Sequence, residues 1–168
     1  MKKSISILPV TAFVLFALCS CEELLDKVGA TIDSGYTNVD FTVNPDQAGT
    51  YFETIEVVSS DLDSIIEAEG QNVGELNSVK IKDAGIQVMD GGNLDPFESF
   101  TITLEAPGKA VVTVAEVTSV AAGLTEIPLV SDEVDLTDYL KSDQYTIRVK
   151  TVLGQDLETP RMLRAKVR

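Results

Sequence analysis

Three oxygen-bearing side chains fall close together at Asp90, Asn93 and Asp95. Carboxylate and amide oxygens on one turn are the ligands a hard cation such as calcium takes. The spacing is not that of the EF-hand loop, and Asp and Asn are also the residues that build turns. The segment therefore reads either as a calcium candidate or as turn chemistry. A second acid run, Asp132, Glu133, Asp135 and Asp138, poses the same choice.

The remaining chemistry is bounded by what the chain lacks. It has no histidine, which removes the commonest general base, the Ser–His and Cys–His nucleophile pairs and His-ligated metals. Its two cysteines, Cys19 and Cys21, both lie near the N-terminus. No GxxxxGK phosphate loop and no GxSxG elbow occurs, so no dissociable cofactor is expected. Carboxylate pairs suffice for glycoside hydrolysis, but sugar-cleaving sites also present aromatic platforms, and the chain has no Trp and four Tyr. The chain reads as non-enzymatic.

Seven basic residues (Lys141, Arg148, Lys150, Arg161, Arg164, Lys166 and Arg168) face only Asp143, Asp156 and Glu158 in the C-terminal segment. Arg161, Arg164, Lys166 and Arg168 form either a docking face for a protein partner or one strand of a sheet whose acidic neighbours they pair across. The second reading is preferred, because the rest of the chain is strongly acidic.

The N-terminus carries a different signal. Lys2 and Lys3 precede a mostly apolar run from Ile5 to Leu18, the pattern of a secretory signal and too short for an ordinary span. Leu18-Cys19-Ser20-Cys21 then resembles the bacterial lipobox, with Cys21 at the acceptor position. The resemblance implies cleavage before Cys21 and a diacylglyceryl group on its sulfur. At about 0.8 kcal/mol per buried methylene, one acyl chain holds marginally and two or three hold firmly. Glu22 and Glu23 follow directly. Acidic residues there are similar to the export signals of Bacteroidota surface lipoproteins, which implies the outer membrane; a solvated acidic tether is the other reading.

Three parts are thus expected: a signal peptide over 1–20, a lipidated tether over 21–34 and a single domain over 35–168. All 27 acidic residues lie beyond the signal, against eleven basic ones, a net charge of −16. Such a surface repels nucleic acid and anionic lipid. With Cys21 modified no thiol remains for a disulfide, so the domain must hold by packing.

Alternation of apolar residues predicts strands at Val39–Val43, Tyr51–Val57, Phe100–Leu104, Val112–Val114, Tyr145–Thr151 and Leu163–Val167, with weaker segments at Leu124–Val130 and Val134–Leu136. Val79 and Ile81 alternate out of phase with Ile86 and Val88, which reads as a β-bulge at Asp83-Ala84-Gly85. Ser60-Asp61-Leu62-Asp63 opens a short helix with Leu62, Ile65 and Ile66 on one face and Gly70 as its stop. A helical turn is expected at Leu136–Leu140. The whole reads as mainly β, an immunoglobulin-like antiparallel sandwich of seven or eight strands with one short helix, a barrel being the alternative.

Two functions fit. In one, a lipid-anchored accessory subunit binds another envelope protein through a sheet edge or the basic strand. In the other, a surface module binds a glycan or host molecule at a concave site with aromatics such as Tyr36, Tyr51, Phe52, Phe97 or Tyr139.

Overall fold

The structure is a computed structural model that describes residues 37–60, 62–68 and 78–168. The signal segment, Cys21, the tether, Tyr36 and Gly70 lie outside the described residues.

The domain is mainly β and antiparallel, as its alternation requires. Eight strands form one sheet: β1 (Thr37–Val43), β2 (Tyr51–Ser59), β3 (Ala84–Val88), β4 (Phe97–Glu105), β5 (Val112–Val117), β6 (Glu126–Ser131), β7 (Gln144–Leu153) and β8 (Arg161–Val167). Among the described residues two short helices interrupt them, α1 (Leu62–Ala68) and α2 (Thr137–Leu140). Ile66 of α1 is buried, as an apolar helix face predicts.

The strand order is β1-β8-β3-β6-β5-β4-β7-β2. Its logic is a nested set of pairs: β1 with β8, β2 with β7, β3 with β6 and β4 with β5, all antiparallel. That nesting is the order of a jelly roll, in which one long hairpin is wound on itself. It differs from the immunoglobulin order expected from sequence, where the first strand pairs with the second. Alternation fixes which face of each strand is buried; it carries no information on which strand lies beside it.

The sheet folds over at β6. Residues Glu126–Leu129 pair with β3, whereas Val130 and Ser131 pair with β5. The two edge strands, β1 and β2, thereby come near each other and the sheet is nearly closed and barrel-like. Pro128 sits opposite Gly85 in this corner. A Cβ on Gly85 would stand 3.1 Å from the Ile127 carbonyl oxygen, a tight contact, so the close approach of β3 and β6 favours a glycine.

The interior is aliphatic with two rings at its centre. Phe100 is fully buried, and its ring centroid lies 5.2 Å from that of Phe97 at a tilt of 41°. Leu163 and Ala165 of β8, Ile86 of β3 and Val149 of β7 close around them.

Two sequence expectations are corrected. Residues 78–83 form no strand, so the phase change at Asp83-Ala84-Gly85 marks the start of β3 and not a bulge. Residues Val134–Leu136 are likewise not a strand, although the helical turn after them forms as α2. Register shifts occur instead at Ile102/Thr103 between β4 and β5, and at Phe97/Ser99 between β4 and β7. The first places Val114 and Ala115, consecutive residues of β5, both in the core. Val112 and Val117 lie in opposite phase along that strand, a signal the sequence did carry.

Candidate functional site

The calcium candidates are not gathered into one ligand set. Asp90 accepts hydrogen bonds from the Arg161 guanidinium at 2.9 Å, the Met162 N–H at 2.9 Å and the Gly92 N–H at 3.1 Å. Burial pushes the Asp90 carboxyl up, but the donors from Met162, Arg161 and Gly92 outweigh it and leave the pKa below its usual value. Asn93 donates to Asp95 at 2.7 Å, and Asp95 accepts from the Gly123 N–H. These side chains organise the turn between β3 and β4, where Gly91 takes φ +80°, and tie it to neighbouring loops.

The second acid run is dispersed in the same way. Asp135 accepts from the Thr137 hydroxyl at 2.6 Å and the Thr137 N–H at 2.9 Å, which starts α2 and holds its pKa below the usual range. Glu133 pairs with Lys80 and Asp138 with Lys109. Among the described residues no group of three or more acids is placed to hold a metal ion.

The basic strand is paired, residue by residue. Arg164 meets Asp40 of β1 with two hydrogen bonds, at 2.6 and 2.7 Å, directly across the register. Lys166 reaches over Gly85 of β3 to Glu126 of β6 at 3.2 Å. Arg161 holds Asp90 and Arg168 holds Asp83. β8 lies between β1 and β3, and its cations answer the acids on either side. A shallow depression of about 290 Å³ around Gly85 is lined by Asp83, Glu126 and Lys166, and this same ion pair crosses it.

The Arg164 hydrogen bond lowers the Asp40 pKa and raises that of Arg164. A lowered carboxyl pKa stabilises the fold above the ordinary carboxylate range and loses that contribution as the pH falls through the lowered value. Asp40→Asn is therefore expected to flatten the fall in melting temperature between about pH 7 and about pH 3, a window that spans the ordinary aspartate value of about 4. Equal slopes for the two proteins in a pH series of thermal melts would show that the pair contributes nothing.

Of the aromatics named from sequence, those among the described residues differ in their burial. Phe97 is in the core, Phe52 and Tyr139 are half-buried against it, and Tyr51 is 53% exposed. The Tyr139 hydroxyl donates to the Ala110 carbonyl at 2.9 Å.

The surface that stands apart is β2. All nine of its residues pair with β7, and among the described residues its other edge has no strand partner. It contains no buried residue, whereas the opposite edge strand, β1, buries Val39 and Val43. Tyr51, Ile55 and Val57 lie on its outer face at 53%, 51% and 60% exposure. Phe52 and Val58, on the inner face, are only partly covered. Glu53 is held by Arg148, 3.7 Å away, whose guanidinium also binds Glu105 at 2.7 Å; the Glu105 hydrogen bond raises the Arg148 pKa. The sequence carried a sign of this edge, since β2 is apolar in both phases although its neighbours alternate. Neither protein-family models nor curated proteins match this chain.

Proposed function

We propose that this chain is a lipid-anchored, non-enzymatic envelope protein that serves as an accessory subunit, binding another envelope protein. The observation that carries the reading is the β2 edge. Soluble domains normally blunt an edge strand with lysine, proline, a bulge or a cover. β2 has no Lys, Arg or Pro, its register with β7 runs unbroken, and three large apolar side chains on it stand more than half exposed. An exposed apolar strand edge is a site for another chain. The anchor half of the proposal rests on Leu18-Cys19-Ser20-Cys21 and the apolar run before it, and the acidic pair Glu22 and Glu23 after it supports the outer membrane as the location.

Two measurements test it. Cys21→Ala should move nearly all of the protein from the membrane pellet to the soluble fraction; a variant that still sediments with membranes in high salt and carbonate defeats the anchor. A C-terminally tagged chain, extracted in mild detergent, should carry a companion near one-to-one. A protein that purifies with no companion defeats the accessory reading.

A further inference from the structure

We infer that β2 takes up an extended, cationic segment of its partner as a ninth strand, added to the sheet through the backbone edge. The inference rests on the accessory-subunit reading and names how the partner docks.

The edge supplies two things. Its backbone groups facing away from β7 have no strand partner among the described residues, so an extended chain can continue the ladder. Its side chains then set what that chain must be. Glu56 lies in the inner-face phase of β2, opposite the core residue Ile147, yet it is exposed. It has no ion pair or hydrogen bond among the described residues. A carboxylate in the middle of an otherwise apolar edge repels an acidic strand and is neutralised by a Lys or Arg opposite it. Glu53, on the other face, is already held by Arg148.

A second copy of the chain is a poor occupant. Each copy brings a net charge of −14 for the full sequence, and its β2 carries acids and no cation. The cations of its β8 are already bound to Asp90, Asp40, Glu126 and Asp83. An apolar strand punctuated by Lys or Arg meets both requirements: apolar side chains beside Tyr51, Ile55 and Val57, and charge beside Glu56.

Hydrogen exchange on the full-length chain reads this directly. Two blocked nonapeptides serve as probes, one alternating valine and lysine, the other valine and glutamate. The lysine peptide should slow exchange of the β2 amides at least tenfold at saturation while the glutamate peptide leaves them unchanged. Glu56→Lys should reverse that preference. Equal protection by both peptides, protection by neither, or protection that grows with protein concentration in the absence of peptide each overturns the inference, the last in favour of self-pairing. Exposed Ile55→Lys should abolish protection, and its melting temperature shows separately that the domain still folds. A stoichiometric companion whose binding ignores β2 substitutions would sink the inference and leave the accessory role standing.

Discussion

Ala165→Glu is expected to leave the domain unfolded at 25 °C. Ala165 is fully buried at the middle of β8, opposite Val39 of β1 on one side and Ile86 of β3 on the other. Arg164 and Lys166 lie in the opposite phase to a carboxylate there, and Arg161, in its phase four residues away, is bound to Asp90. An uncompensated buried charge costs about 3–5 kcal/mol or more, and the added side-chain volume forces apart two strand pairings at once. Overpacking adds about 1–3 kcal/mol, so the combined loss matches the lower part of the about 5–15 kcal/mol that holds a whole domain. The variant should give a coil-like far-ultraviolet spectrum and rapid cleavage by thermolysin. Lys166→Gln, one residue further along the same strand, removes only a partly exposed ion pair and should change stability by about 1 kcal/mol or less. Similar protease resistance for Ala165→Glu and the wild type would mean that Ala165 is not buried between β1 and β3.

Phe100→Ala carries the second large effect. Phe100 is the largest fully buried side chain and touches the Phe97 ring. Removing the ring forfeits its transfer free energy and leaves a cavity that a β-sheet scaffold cannot collapse, at a cost of about 3–5 kcal/mol. With a urea dependence of about 2 kcal/mol per molar, the denaturation midpoint should fall by roughly 2 M. Phe100→Leu, which keeps most of the volume, should lose much less. A fall below about 0.5 M for the alanine variant, by the same urea dependence, would place Phe100 at a compliant site and remove it from the centre of the core.

The phase of the apolar residues made most strands legible. Val39, Phe41 and Val43, and again Tyr145, Ile147 and Val149, alternate because one face of each strand is covered and the other is wet. The charge imbalance was legible too: the basic C-terminal strand reads correctly as one that pairs across a sheet, since Asp40, Asp83, Asp90 and Glu126 all meet it. The order of the strands was hidden, because the pairing of β1 with β8 joins residues 124 positions apart, as in Arg164 and Asp40. No local pattern records such a contact. The Val79–Ile81 alternation misled for a related reason. Two apolar residues in phase make a strand only where a neighbour stands ready to pair, and here the segment instead meets the Asp135 turn through the Val79 N–H, which donates to Thr137. The β2 edge was half visible: its double-phase apolar composition marks a strand that ought to be covered on both faces, and only the structure shows that it lies at the margin.

The nested pairing also sets an order of events. A chain delivered N-terminus first exposes β1, β2 and β3 before β8, β7 and β6 arrive to meet them. Among the described strands only β4 with β5, and β5 with β6 over the short stretch at Val130 and Ser131, are both adjacent in sequence and paired. Long-range pairing of this kind folds slowly, and unpaired strand edges are the species that aggregate while they wait. The first three strands are therefore the ones that stay longest as unpaired edges, and β2, apolar in both phases, is the most prone of them to aggregate.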